Sequence, residues 1–272
     1  MNQYGPGIWW SPQSLWVNRS LLYSLIKREI AGRYKGSMLG LFWSFFNPIL
    51  MLAVYTFVFS VVFRARWKGG TGSNTEFALI LFTGLMAFSL CAECLNRAPS
   101  LILGNANYVK KVIFPLEILP VVVLGSATFH FFISLLVWLI FYVIFFGIPP
   151  LTIVLLPFVL LPLIFLTLGL SWFLASLGVY LRDVSQIIGV FTTMLMFLSP
   201  IFYPISILPE KYQIIMHINP LTTIVEQVRG VMIFGDVLNW FFWTLQMIFS
   251  LMVAWLGFAW FQKTRKGFAD VI

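Results

Sequence analysis

Charged residues fall on this chain in widely spaced groups, and the apolar runs between them are of membrane length. The longest run, Ile118 to Leu181, holds 64 consecutive residues without Asp, Glu, Lys or Arg. One bilayer crossing takes about 20 apolar residues, so this run is long enough for two. Gly147-Ile148-Pro149-Pro150 breaks it near the middle, as Gly and Pro runs do. The pattern predicts a tight hairpin of two membrane helices. Taken together, the runs predict six spans: Met38–Phe63, Phe77 to about Leu95, Ile118–Phe146, Leu151–Leu181, Val184 to about Phe202, and Val237–Gln262. The fold class is an all-α polytopic membrane protein. It divides into an N-terminal tail and interfacial helix (1–37), a transmembrane domain (38–262) and a C-terminal tail (263–272).

Three segments outside the spans carry helical patterns of their own. In residues 11–35, Ser11 and Pro12 make a cap followed by a first-turn proline. Leu15, Trp16, Leu22, Tyr23, Ile26 and Ile30 then share one face, and Ser20, Ser24, Lys27 and Arg28 the other. This predicts an amphipathic helix lying on the membrane. In residues 96–117, Pro99 is placed to open a short helix and Gly104-Asn105 to close it. The third segment, 204–236, carries two short helices. Pro209 opens the first, and Asn219-Pro220 opens the second, which Gly235 ends. Leu221, Ile224, Val225, Val228 and Met232 give the second an apolar face, and Glu226 and Arg229, three apart, are placed to pair. Ser199-Pro200 and Tyr203-Pro204 end or bend the fifth span before this segment.

Composition then fixes orientation. The chain is 60% hydrophobic and only 10% charged, with a net charge of +8. In a soluble protein that charge would suggest nucleic acid. Here twelve Lys and Arg fall in the segments on the side of the termini and five on the other. The asymmetry places both termini in the cytoplasm and makes anionic lipid, not nucleic acid, the basic partner. No cleavable signal is evident, because the first apolar run lies behind a basic segment and is too long for one. Cys91 and Cys94 lie inside an apolar run without further ligands, which reads as packing thiols.

The chemistry of an enzyme is missing. The sequence has no G-x-x-x-x-G-K-[ST] and no H-E-x-x-H, and Gly169-Leu170-Ser171 is followed by Phe173 where a nucleophile elbow needs Gly. The spans contain no Asp, and their polar residues are few: Asn47, Tyr55, Glu93, Asn96 and His130. Ion pumps carry more buried charge than this. A large, weakly charged substrate fits better, with aromatic rings for sugar faces to stack on. Tyr55 and Phe59 in the first span, and Phe197, Phe202 and Tyr203 at the end of the fifth, are the candidates to line a channel. An intramembrane enzyme and a structural scaffold stay open as other classes, as does export of another lipid or a drug-like molecule.

Four stretches in order resemble a known family. They are Arg28-Glu29 with RYKGSMLGLFW at 33–43, NANYVKKVIFPLEILP at 105–120, YLRDVSQI at 180–187 with FLSPIFYPISILP at 197–209, and NPLTTIVEQVRGVM at 219–232. The chain resembles the membrane (permease) subunit of bacterial ABC exporters for cell-surface polysaccharide, which handle O antigen, teichoic acid and some capsules. The resemblance runs from about residue 15 to the C-terminus. It implies a homodimeric channel in the cytoplasmic (inner) membrane, with two copies of a separate cytoplasmic ATPase. ATP and magnesium would bind that partner, and no cofactor would bind this chain. It implies a polysaccharide substrate carried on a lipid. It also implies that Arg28, Arg33, Asn105, Asn107, Lys110 and Lys111 meet the ATPase. Pro200, Pro204, Asn219, Pro220, Glu226 and Arg229 would belong to an outer gate.

Overall fold

The computed structural model describes residues 16–58, 74–109 and 114–272. Its main helices are α1 (Arg19–Tyr34), α2 (Trp43–Tyr55), α3 (Asn74–Leu101), α4 (Ile118–Phe146), α5 (Leu156–Tyr180), α6 (Val184–Leu198), α7 (Glu210–Ile218), α8 (Pro220–Arg229) and α9 (Trp240–Thr264). The described residues contain no strand. Five stretches are long and apolar enough to cross a bilayer: Gly40–Val58, Thr75–Leu101, Ile118–Phe146, Leu151–Tyr180 and Trp240–Val271. The expected fifth span is different. Its helix stops at Leu198, where Ser199 turns extended. Fifteen residues rise only ~22 Å, short of a ~30 Å hydrocarbon core. Where six spans were expected, the described residues hold five helices of spanning length and one shorter apolar helix. The outer end of the expected first span, Phe59–Phe63, lies outside the described residues.

Burial ranks the helices. α3 is apolar and buried on nearly every side from Phe77 to Leu90, as a helix segment without a polar face must be, and it carries its charges, Glu93 and Arg97, nearer its end. Around it pack α4, α5, α6 and α8. The hairpin expected at Gly147 is present, with Gly147 at φ +82 where a side chain would be strained. Its two arms, α4 and α5, pack less on each other than on α3, and α5 packs most of all on α9. Glycine makes that last contact possible. A Cβ on Gly257 would fall 2.0 Å from the Gly169 carbonyl oxygen, and one on Gly169 2.6 Å from Ala254 Cα. In lipid, where apolar burial gives helices no reason to associate, such close approach supplies the packing.

The same device explains a correction at Pro99. The residue does not open a new helix; it sits inside α3, which continues to Leu101. Its backbone crosses α5 at Gly178, where a Cβ would lie 2.0 Å from the Pro99 carbonyl oxygen. A buried neighbouring helix tolerates proline inside a span in this way. The chain then runs through a short turn, Leu103–Asn105, and a helical turn, Ala106–Val109.

α1 also needs correction. Its expected start at Ser11 lies outside the described residues. Of the expected apolar face, Trp16 and Tyr23 are exposed, whereas Leu25, absent from it, is buried. Leu22, Leu25 and Ile26 pack against Ile118 and Val122 at the start of α4. Gly125 leaves the space that Ile26 fills, since a Cβ there would sit 2.5 Å from Ile26 Cδ1. The helix is thus docked on the bundle along a face that keeps Leu22 and Ile26 of the expected one and adds Leu25.

Candidate functional site

The bundle has two polar ends. One carries α1 and the C-terminal residues. There Arg265 bonds Glu117 at 2.8 Å, the Tyr180 hydroxyl donates to the Thr264 carbonyl at 2.8 Å, and Trp172 Nε1 donates to the Glu117 carbonyl at 3.0 Å. The other end carries the Gly147 bend, α7 and α8. There Thr152 donates to the Val231 carbonyl at 2.7 Å, and Trp243 Nε1 to the Phe158 carbonyl at 2.9 Å.

At the end with the termini, four charges from two helices interlock. Arg33 of α1 bonds Glu93 of α3 at 2.6 Å, Arg97 of α3 bonds Glu29 of α1, and Arg97 lies 3.6 Å from Glu93. Glu93 and Arg97 are one turn apart, and so are Glu29 and Arg33, so two helices crossing in register present matched pairs. Arg28 reaches onward to the Tyr108 hydroxyl at 2.7 Å, and Tyr108 stacks on Phe114 at 4.2 Å. Asn105 caps the end of α3 through the Leu101 carbonyl at 2.9 Å, while Asn107 is exposed. Arg28 thus meets the 96–117 connection through Tyr108, while Arg33 pairs with α3 and Asn105 caps its end. Lys110 and Lys111, in the middle of that connection, lie outside the described residues.

Beside this network α2, α3 and α4 line a half-open cavity of about 320 Å³, to whose wall Arg33 and Tyr34 also contribute. Four of the five polar residues marked in the spans (Asn47, Tyr55, Glu93 and His130) line it. The fifth, Asn96, accepts a bond from Thr192 of α6 at 2.9 Å. Cys91 and Cys94 are both buried in the core, as packing thiols should be.

At the opposite end the arrangement rests on Arg229. It is 3% exposed. Its guanidinium donates to the Ile80 carbonyl of α3 at 3.1 Å and to the carbonyls of Pro200 and Ile201, just past the end of α6. Those two carbonyls follow a helix terminus and have no helical donor ahead of them. Arg229 thus satisfies main-chain acceptors that apolar surroundings would otherwise leave expensive. Gly84 provides the room, since a Cβ there would fall 2.7 Å from Arg229 Nη2. The Glu226 relation is electrostatic, whereas the hydrogen bonds go to carbonyls, a departure from the simple pair that the spacing suggests. Burial pushes the Glu226 carboxyl above its ordinary range, against the opposite pull of His217 and Arg229.

The cap-then-proline reading of α8 holds. Asn219 Oδ1 accepts from the Leu221 N–H at 3.0 Å, its Nδ2 donates to Ser199 Oγ at 3.1 Å, and Pro220 takes the first position. Leu221, Ile224, Val225, Val228 and Met232 are all buried. Pro204 precedes a short turn at Ile205–Ile207. Of the channel candidates, Phe197 and Phe202 stack at 5.5 Å and the Tyr203 hydroxyl donates to the Phe197 carbonyl at 2.9 Å. Tyr55 stands apart from them on the inner cavity wall, and Phe59 lies outside the described residues. Ile80, Gly84 and Ile201 were not singled out by the sequence. An isolated glycine in a span and two carbonyl positions carry no pattern that points to a distant arginine.

The family model for the ABC-2 type transporter matches residues 20–233. An O-antigen export system permease protein of Myxococcus xanthus is 28% identical, covering 96% of this chain and 98% of its own length. One of the same name from Klebsiella pneumoniae is 25% identical over 93% of this chain and 95% of its own. A polysialic acid transport protein of Escherichia coli is 23% identical over 92% and 95%. A match that takes in α1, the ion-pair network and the Arg229 cluster together makes this chain a member of the ABC-2 type transporter family.

Proposed function

We propose that this chain is the permease subunit of an ABC exporter that moves a cell-surface polysaccharide across the cytoplasmic membrane. The observation that carries the reading is the end-to-end likeness to permeases named for O-antigen export and polysialic acid transport, with over 90% of both chains covered. The chain has no P-loop, so ATP hydrolysis falls to a partner ATPase. We place that partner against α1 and the 96–117 connection, at the basic and therefore cytoplasmic end. A second copy of this chain completes the channel, which takes a lipid-linked polymer.

The geometry suggests how the ends communicate. α3 carries Glu93 and Arg97 at one end and Ile80 and Gly84 at the other. Residues 80 and 97 are ~26 Å apart along a helix. A partner that shifts α1 moves its ion pairs with α3, and α3 bears directly on the Arg229 cluster. α8 and the segment to Gly235 then leave their closed position, opening the outer end. Deleting the gene should remove the surface polysaccharide and leave polymer inside the cell. Re-expressing the chain should restore export only where the partner ATPase is intact. Purified chain alone should hydrolyse no ATP. Normal surface polysaccharide in the deletion strain would refute the reading.

A further inference from the structure

Between α8, the 236–239 turn and the first three turns of α9 lies an open cup of about 740 Å³. It is separate from the inner cavity and adjoins the Arg229 cluster through Glu226. Glu226 and Asp236 both line it, with Gln227 and Gln246. Asp236 is held by its own N–H, which donates to the Gly230 carbonyl at 2.9 Å. Its carboxylate would lie 3.1 Å from a Cβ at Gly230, so a glycine leaves that wall open.

The cup has a surplus of acceptors. Gln246 Nε2 donates to the Pro220 carbonyl at 3.2 Å, which fixes the amide and leaves its oxygen as the free group. The side-chain oxygens of Gln246 and Gln227 are both buried, and neither meets a hydrogen-bond donor among the described residues. A buried acceptor without a donor is costly, and two carboxylates beside them call for a positively charged donor. The described residues hold no group of three or more His, Cys, Asp or Glu side chains that could bind a metal ion.

The setting identifies the source of the donor. Trp240 and Trp243 mark the start of α9, as interfacial tryptophans do, and Gln246 is ~9 Å further into the span. The rest of the cup is largely apolar, with Phe242 and Phe249 exposed beside it. His217, the one residue in its lining able to carry positive charge, suits a phosphate. We propose that this cup binds a phospholipid with a primary ammonium headgroup, held by Glu226, Asp236 and the two glutamine oxygens.

The test is native mass spectrometry of the detergent-solubilised full chain with short-chain phosphatidylethanolamine, phosphatidylcholine or phosphatidylglycerol. Phosphatidylethanolamine should bind saturably. Phosphatidylcholine, whose quaternary ammonium donates no hydrogen bond, should bind at least about tenfold more weakly. Asp236→Asn and Glu226→Gln, each checked by an unchanged elution volume, should erase that preference. Gln246→Leu should weaken it without touching a charge. Equal binding of the three lipids, or a preference that survives both carboxylate variants, would overturn the site. Glycerophosphoethanolamine and glucosamine are the soluble controls. Binding of either as tight as the lipid, with the same variant dependence, would overturn the lipid assignment in favour of a free amine. None of these readouts involves transport, so the site and the export function fail separately.

Discussion

The two polar ends of this bundle solve the same problem in opposite ways. At the end with the termini, Glu29, Arg33, Glu93 and Arg97 form ion pairs whose side chains are between 18% and 36% exposed. Such pairs are worth about 0.2–1 kcal/mol each and are screened by salt. At the other end a single arginine, 3% exposed, is bound to main-chain carbonyls that cannot be exchanged. The first arrangement can be exchanged at modest cost, as the proposed movement of α1 requires. The second holds a helix break in one defined position until something displaces the whole cluster. Stability should therefore depend on Arg229, and transport without large stability effects on the ion pairs.

The largest expected effect is that of Arg229→Ala. It orphans buried carbonyls and removes the groups that filled the space, at a cost of about 3–5 kcal/mol. The melting temperature of the purified protein should fall sharply and export should stop. An unchanged melting temperature would show that the carbonyls find other donors. Gly84→Ala comes next. Its methyl would press on Arg229 Nη2 from 2.7 Å, and overpacking of this kind costs about 1–3 kcal/mol. Since the neighbour is the far end of a flexible side chain, the loss should be smaller than for Arg229→Ala.

Glu93→Arg should reverse this order of effects. It replaces attraction with repulsion against Arg33 and Arg97, and should reduce export severely with a smaller loss of stability than Arg229→Ala. Arg33→Glu in the same chain should restore part of the export, because the swapped pair spans the same helices. Failure of the double variant to recover any export would mean that Arg33 serves something other than Glu93. Replacing Lys110 and Lys111 by Glu should leave insertion and melting unchanged while export is lost. Tyr108→Phe should have the smallest effect, since it deletes only the 2.7 Å bond from Arg28 and leaves the stack on Phe114.

Much of this was legible in the sequence, and the gaps have physical reasons. Charge-free runs bound the spans because lipid excludes charge, and the Gly147 bend follows from the same run. Asn219-Pro220 announces α8 because capping is local, a matter of three residues. Pro99 misled because its local meaning, a helix start, was overridden by a tertiary contact with Gly178. The docking face of α1 was legible in part: Leu22 and Ile26 do dock, but Leu25, Glu29 and Arg33 join them, which periodicity alone does not mark. The partners of Arg229 were out of reach, since Ile80 is 149 residues away and a carbonyl has no residue signature. Gln246 went unmarked as one amide in an aromatic-rich span.

The claim that the α8 segment leaves its closed position during export can be tested with one cross-link. A Cβ at position 235 would lie 3.7 Å from Pro150 Cβ, close to the usual Cβ separation of a disulfide. In a chain with Cys91 and Cys94 replaced by Ala, Pro150→Cys with Gly235→Cys would tie the end of that segment to the hairpin bend, with Gly235→Cys alone as the control for the strain of a side chain at φ +73. With the pair reduced, surface polysaccharide should appear. With it oxidised, export should stop, and reductant should restore it. Polysaccharide still reaching the surface at the same rate with the cross-link fully formed would show that the segment is a fixed cap and not a moving gate.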